Sequence, residues 1–187
     1  MYLCEIELTS NSPLSFGRYH ATPKEGKEKP EDYEKRTWKE KAHFDKNDEC
    51  YIPLTALKNC LSEAAKYLSI QIQGKGKATY TKHFEAGIMV EQNIKLGVKK
   101  EDLEQEVVFV PADGKRGGTT RVLKYFPRID SWKGKTTVRI LDDLITKDIF
   151  EQHLREAGIF IGLGRFRPRN NGYFGRFSAK ITKWERI

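Results

Sequence analysis

Tyr2-Leu-Cys-Glu-Ile-Glu-Leu-Thr9 is the stretch of sequence that establishes the fold class, because apolar and polar side chains alternate along it. A period of two residues is typical of a β-strand with one buried face. Ser12-Pro13 follows and ends the strand, since proline interrupts regular pairing. The chain therefore begins with a strand that contributes one face to a hydrophobic core.

The first helix is predicted over residues 55–68. Leu57, Leu61 and Leu68 recur there at helical spacing and form an apolar stripe. Thr55 precedes the stripe and is predicted to be the N-cap of the helix. We expect the three leucines to lie in the core.

The remaining pattern completes an α+β arrangement. Strands are predicted at residues 107–110, 121–125, 136–141, 159–161 and 177–184, with the strand at 107–110 expected to be buried. A second helix is predicted to begin at Thr146 and to end at Gly158. The order of elements is that of a ferredoxin-like (RRM-like) core, in which two helices cover one face of an antiparallel sheet.

Two segments are too polar to belong to this core. Residues 17–50 are rich in charged and aromatic side chains, and residues 73–106 contain a Gly/Lys stretch followed by an acidic stretch. We interpret both as long loop insertions. A chain of 187 residues suits one domain with a substantial core, so we expect a single domain over residues 1–187.

Charge and cysteine content narrow the class of function. The chain has 34 Lys and Arg against 26 Asp and Glu, a net charge of +8 that favours a polyanionic partner. Its three cysteines form no C-x-x-C pair, which argues against a disulfide scaffold and a zinc ribbon. No apolar run is long enough to cross a bilayer and no signal-peptide pattern is present, so we expect a cytoplasmic protein without a membrane partner.

Residues 158–177, here called the Gly/Arg loop, are the most informative segment for function. Arginines bind phosphates, aromatic side chains stack on bases, and glycines allow a backbone to approach a ligand closely. This combination predicts a site for single-stranded nucleic acid. The predicted contacts are Gly162, Gly164, Arg165, Phe166, Arg167, Arg169, Tyr173 and Arg176. The alternative is an ordinary turn whose aromatic side chains are core and whose arginines are solvated.

Three segments of the chain resemble the RAMP superfamily of CRISPR-associated proteins, and within it the Cas seven-type backbone subunits. They are the stretch Ser-Pro-Leu-Ser-Phe-Gly at 12–17, the stretch Tyr-Ile-Pro-Leu-Thr-Ala-Leu-Lys-Asn at 51–59, and the Gly/Arg loop. The family usually has a Gly and two Ser at the helix start, where residues 54–56 are Leu-Thr-Ala here.

The resemblance implies a ferredoxin-like core and a role in antiviral defence. It also implies assembly of repeated copies along a guide RNA, as a homo-oligomer or as a subunit of a ribonucleoprotein complex. RNA contacts are implied at the start of the first helix, at Thr55, Lys58 and Asn59. Free amides at a helix N-terminus favour a phosphate, so these positions are also chemically sensible.

The function predicted from the sequence is binding of single-stranded nucleic acid, RNA rather than DNA, without a cofactor. We assign no catalytic and no metal-binding residue, since nucleotide-binding and metal-ligand spacings are absent. Two alternatives stay open. One is a metal-independent endoribonuclease that uses His20 or His43. The other is a subunit mimic that inhibits a CRISPR effector complex.

Further basic segments are weaker candidates for contacts with nucleic acid. One contains Lys75, Lys77, Lys82 and His83, with Tyr80 or Phe84 as a stacking residue, and another contains Lys115, Arg116 and Arg121. The first insertion adds Arg18, Lys35, Arg36, Trp38 and Lys39. Each segment is equally consistent with a solvated loop.

Overall fold

A four-stranded antiparallel sheet forms the centre of the fold in a computed structural model that describes residues 1–115 and 117–187. The strands are β1 (Tyr2–Ser10), β2 (Leu14–Ser15), β3 (Glu49–Ile52), β4 (Ile88–Val90), β5 (Ile94–Lys99), β6 (Glu104–Pro111), β7 (Arg121–Ile129), β8 (Lys133–Ile140) and β9 (Phe177–Arg186). The helices are α1 (Pro30–Thr37), α2 (Leu54–Leu68), α3 (Thr81–Ala86) and α4 (Lys147–Glu156).

The central sheet has the strand order β4-β8-β1-β9, and every neighbouring pair is antiparallel. Along the chain, helix α2 lies between the core strands β1 and β4, and α4 lies between β8 and β9. The core thus follows a strand-helix-strand-strand-helix-strand order with the first and third core strands at the centre of the sheet. The ferredoxin-like fold predicted from the sequence is confirmed.

The hydrophobic core lies between this sheet and helices α2 and α4. Cys4, Ile6 and Leu8 of β1 are buried, as the alternation of the strand predicts, and so are Leu57 and Leu61 of α2. Leu68 is only partly buried, because α2 ends there and Ser69 turns into the left-handed conformation. The prediction that Leu68 lies in the core is therefore wrong.

Helix α2 starts one residue earlier than the sequence predicts. Pro53 occupies the N-cap position, and the first free amide, that of Leu54, donates to Asn93 Oδ1 at 2.9 Å. The prediction that Thr55 is the N-cap is therefore wrong. The helix begins earlier because of a tertiary contact, in which the capping oxygen comes from the segment between β4 and β5.

The second helix begins as predicted and ends differently. Thr146 Oγ1 accepts a hydrogen bond from the amide of Ile149 at 3.4 Å, which confirms the N-cap. After α4 the chain continues as a π-helical turn, Ala157–Ile161, so Gly158 does not end the helix and residues 159–161 are not a strand. Glycine is required at 158 because a Cβ there would lie 2.0 Å from the carbonyl oxygen of Phe177.

The segment predicted as a second insertion contributes to the core sheet. Within residues 73–106, β4 pairs with β8 at one edge of the central sheet, and β5 pairs with β3 of the first insertion. The interpretation of 73–106 as an excursion needs correction at β4. A three-residue strand shows too little alternation to be recognised in the sequence.

Strands β6 and β7 form a long hairpin beside the core. The strand predicted at 107–110 exists but is not buried, since Val107 is 48% exposed and Phe109 is 59% exposed. Strand β7 continues to Ile129, four residues beyond the strand predicted at 121–125. Arg116, which is part of a predicted basic segment, lies outside the described residues.

Arg165 fastens this hairpin to the Gly/Arg loop. Its guanidinium forms an ion pair with Glu106 of β6 and lies 3.8 Å from the centre of the Phe126 ring of β7. Its Nε donates to Ser15 Oγ at 3.1 Å. Burial lowers the pKa of Arg165, whereas Glu106 favours the charged form. The pair thus holds the Gly/Arg loop against the β6–β7 hairpin.

Replacing Glu106 with Gln is expected to destabilise the protein, because it leaves a largely buried guanidinium without its counter-charge. We expect the free energy of unfolding, measured by urea denaturation at pH 7, to fall by about 1–3 kcal/mol. Glu104→Gln is the matched control in the same strand. Arg128, the partner of Glu104, also pairs with Asp130, and Glu104 is 58% exposed. Removing the charge of Glu104 should therefore lower the free energy of unfolding by less than about 1 kcal/mol. Equal losses in both variants would contradict the assigned role.

His153 is an uncharged imidazole inside the core. It is 0% exposed, its Nδ1 lies 2.7 Å from the carbonyl oxygen of Ile149, and its ring stacks on Phe84 with 4.1 Å between ring centres. Its Nε2 has no hydrogen-bond partner among the described residues. Burial lowers the pKa of His153 below the value of a solvated histidine.

This burial makes stability depend on pH. The folded-state pKa is below the unfolded value, so the unfolded chain takes up the proton first and the folded state loses stability as pH falls below about 6.5. The contribution of His153 should reach at most about 1.4 kcal/mol per pH unit. His153→Phe should flatten the slope of unfolding free energy between about pH 7 and pH 5. If the unmodified protein and His153→Phe have the same near-UV circular dichroism and the same slope of unfolding free energy against pH, this assignment is wrong.

Candidate nucleic-acid interface

Three segments that are far apart in the sequence meet at one cleft, here called the central cleft. It has a volume of about 320 Å³ and is open to solvent. The segment after β1, the start of α2 and the Gly/Arg loop all contribute to its wall, together with one histidine of the first insertion. The lining residues are Leu14, Phe16, Gly17, Arg18, His43, Ile52, Pro53, Ala56, Gly164 and Arg165.

Close backbone contacts hold the Gly/Arg loop at the cleft. The amide of Arg165 donates to the carbonyl oxygen of Ser15 at 2.7 Å, and a Cβ at Gly164 would lie 2.4 Å from that same oxygen. Both Gly162 and Gly164 have positive φ, at 72° and 77°. The predicted role of these glycines in approaching a ligand needs correction, because their close contacts are with the protein's own chain.

Most arginines of the Gly/Arg loop are paired with carboxylates of the protein. Arg165 binds Glu106, while Arg167 and Arg169 share Glu63 of α2 at 2.9 and 3.1 Å. No local pattern in the sequence predicted these ion pairs, and the contact of the three arginines with nucleic acid stays a prediction. Each guanidinium has five N–H donors, so one carboxylate leaves donors that can face a further anion.

Arg176 is the remaining predicted arginine of the loop. Its Nη1 donates to the carbonyl oxygen of Tyr173 at 3.3 Å. It has no carboxylate partner in the part of the chain that the structure describes. Its charge is thus not neutralised by a carboxylate of the described residues, and the side chain is half-buried.

The two aromatic side chains predicted to contact nucleic acid are exposed. Phe166 is 50% exposed and Tyr173 is 61% exposed, and both contact the ring of Phe174 edge-on. The alternative interpretation, in which the aromatic side chains of the loop fill the core, does not hold for these two. Their rings have faces that a base can reach.

The predicted residues at the start of α2 divide into two groups. Thr55 and Asn59 are exposed on the outer face of the helix. Lys58 is half-buried, and its ammonium donates to Ser62 Oγ at 2.8 Å and to the carbonyl oxygens of Phe84 and Glu85 at 3.0 and 2.9 Å. All three N–H donors of Lys58 are thus used, two of them on carbonyl oxygens at the end of α3, and burial lowers the pKa of Lys58.

Arg18 and His43 also line the cleft; the sequence marks Arg18 only as a weaker candidate contact and His43 only as a candidate catalytic residue. Arg18 is exposed, donates to the carbonyl oxygen of Ala42 at 3.3 Å, and has no carboxylate partner within residues 1–115 and 117–187. His43 packs against Phe16 and Tyr51. Burial lowers the pKa of His43, and the nearby charge of Arg18 acts in the same direction.

The weaker basic segments have mixed outcomes. Tyr80 is 8% exposed and Phe84 is 0% exposed, so neither ring can serve as the predicted stacking residue. Lys115 and Arg121 lie at the exposed end of the β6–β7 hairpin, where the guanidinium of Arg121 is 5.9 Å from the ring centre of Phe109.

The described residues provide neither a metal site nor a membrane-spanning helix. Within 1–115 and 117–187, no group of three or more His, Cys, Asp or Glu side chains is arranged to hold a metal ion. None of the helices described is long and apolar enough to span a bilayer.

Comparison with known proteins finds a similar fold among solved structures and no match by sequence. No protein-family model matches the chain, and no curated protein matches it. A chain in the solved cryo-EM structure of the Type III-B Cmr-beta bound to cognate target RNA is similar, with a TM-score of 0.61 and 14% sequence identity. The match covers 98% of this chain and 60% of that chain. The described protein therefore shares the fold of that chain and spans about 60% of its length.

Proposed function

We propose that this protein binds single-stranded RNA in the central cleft, as a subunit of a CRISPR-associated ribonucleoprotein complex. The observation that carries the proposal is the meeting of three distant segments at one open cleft. These are the same segments, 12–17, 51–59 and the Gly/Arg loop, whose residues resemble RAMP proteins. An open cleft also suits a polymer that enters and leaves, whereas a small ligand is usually enclosed.

The charges around the cleft support a phosphodiester ligand. Arg18 is exposed at the cleft, and Arg176 belongs to the Gly/Arg loop. Neither has a carboxylate partner in the described part of the chain. Phe166 and Tyr173 expose rings on the same loop. We propose that phosphates contact the arginines and that bases stack on these rings, as in other single-strand binding sites.

Some of the remaining predicted residues contact RNA in this proposal, and others only shape the site. Thr55 and Asn59 offer a hydroxyl and an amide on the exposed face of α2, next to the cleft residues Pro53 and Ala56. Arg165, Arg167 and Arg169 contribute through N–H donors that their carboxylate partners leave unused. Gly162, Gly164 and Lys58 act through the shape of the site rather than by touching RNA.

The similar solved structure supports the choice of RNA and of a subunit role, because it is an assembly bound to target RNA. Assembly of repeated copies along the strand, as in Cas seven-type subunits, is the finer form of the proposal. Size-exclusion chromatography with RNA of increasing length tests that form, since each added copy should increase the mass by one step. A complex that stays at one copy on long RNA would contradict it.

A ribonuclease activity is the second candidate, and His43 is the observation that favours it. Its imidazole lines the cleft, and the lowered pKa keeps it neutral at pH 7 and able to accept a proton. Incubation of the protein with labelled RNA in EDTA distinguishes the two functions. Cleavage that disappears in His43→Ala would assign catalysis, whereas intact RNA supports binding alone.

Arg18→Gln should weaken RNA binding, because it removes the exposed cation of the cleft. We expect about tenfold lower affinity for a labelled single-stranded RNA in fluorescence anisotropy, the effect of losing one charge-assisted phosphate contact. The slope of log affinity against log salt concentration should fall by about 0.7. A DNA oligomer of the same sequence tests the preference for RNA.

Arg155→Gln provides the matched control. It removes the same charge from α4, where Arg155 pairs with Glu156 and does not line the cleft. Its affinity should stay within about twofold of the unmodified protein, because distant charges are largely screened at physiological salt. Equal weakening in both variants would indicate non-specific attraction. Failure of the unmodified protein to bind any oligomer at low salt would overturn the proposed function.

A further inference from the structure

An exposed pair of aromatic rings lies on the outer surface of α2, away from the residues that line the central cleft. Tyr67 belongs to the last turns of α2, and Phe160 belongs to the π-helical turn after α4. Tyr67 is 52% exposed, Phe160 is 43% exposed, and their ring centres are 5.5 Å apart. The two rings therefore form one continuous aromatic surface that the protein leaves in water.

The π-helical turn explains why Phe160 points outward. Ala157, Gly158 and Ile161 of this turn are buried, whereas Ile159 and Phe160 are exposed. The wide turn places a large aromatic side chain beside Tyr67 instead of in the core. Exposing this much aromatic surface forgoes the free energy that its burial would provide, which makes the pair a candidate for contact with a ligand.

A polar, partly basic groove borders the rings. It has a volume of about 410 Å³ and is lined by Asn59, Ser62, Glu63, Lys66, Tyr67 and Arg169. The guanidinium of Arg169 lies 6.0 Å from the centre of the Tyr67 ring. Arg169 and the predicted contact Asn59 therefore connect this groove to the Gly/Arg loop and to the start of α2.

We infer that Tyr67 and Phe160 form a stacking platform for bases of single-stranded RNA that runs along α2 from the central cleft. This inference rests on the proposed function and extends it to two residues that are not among the predicted contacts. Aromatic faces favour a base, since every base has a face that can stack. Arg169 and Lys66 lie beside the rings and pair with Glu63 and Glu85. Each cation has more N–H donors than one carboxylate oxygen uses, so a phosphate next to the stacked base can also accept from it.

The test uses the whole protein, a uridine 15-mer, an adenosine 15-mer and an abasic oligomer of the same length. Stacking is worth about 1–3 kcal/mol per base, so Tyr67→Ala and Phe160→Ala should each weaken binding of the adenosine 15-mer by about fivefold to 150-fold. Binding of the abasic oligomer should not change, because it has no base to stack. The salt dependence should also stay the same, because neither ring carries a charge.

Tyr67→Phe and Phe160→Tyr are the matched controls, since both keep a ring at each position and should bind like the unmodified protein. Thermal unfolding of each variant shows whether the half-exposed positions tolerate alanine. If the alanine variants fold and bind both base-containing oligomers like the unmodified protein, the platform is wrong while the proposed function stands. Equal weakening on the abasic oligomer would also overturn the platform. If the unmodified protein binds no oligomer, both proposals are wrong.

Discussion

The backbone contact between the Gly/Arg loop and the segment after β1 is the constraint on which the site depends. The amide of Arg165 reaches the carbonyl oxygen of Ser15 at 2.7 Å, and only a residue without a Cβ fits at Gly164. The amide of Gly175 reaches the carbonyl oxygen of Pro13 at the same distance. These two hydrogen bonds place the loop beside the start of α2, and without them the central cleft would have only part of its wall.

The ion pairs of the loop follow from the same constraint. A loop rich in glycine loses much conformational entropy when it is ordered, and the Gly/Arg loop buries Ile161, Leu163 and Phe177 against that loss. Glu106 and Glu63 supply contacts that fix its arginines on the hairpin and on α2. A phosphate that approaches these arginines meets side chains already held in place. It also meets carboxylates that oppose its charge, which leaves Arg18 and Arg176 as the cations best suited to attract it first.

Much of the fold was predictable because the informative patterns are local. The alternation of β1, the burial of Leu57 and Leu61 in α2 and the Thr146 cap each require only neighbouring residues, and the structure confirms them. The failures need information from elsewhere in the chain. Asn93 caps α2 from another segment, and Phe177 forces glycine at 158. The carboxylates that neutralise the arginines of the loop lie about 60 and 100 residues away in sequence, and no local pattern marks such pairs.

The position of the platform relative to the cleft sets the length of RNA that the protein would hold. Thr55 and Tyr67 are twelve residues apart on α2, which corresponds to roughly 18 Å along the helix axis. Stacked nucleotides rise about 3.4 Å each, so a stacked strand that touches both ends of the helix has about five nucleotides between them. This length falls within the range of about 4–16 nucleotides held by other single-strand binding modules. The cleft and the aromatic pair are therefore close enough to act on one strand, and α2 is the element that joins them.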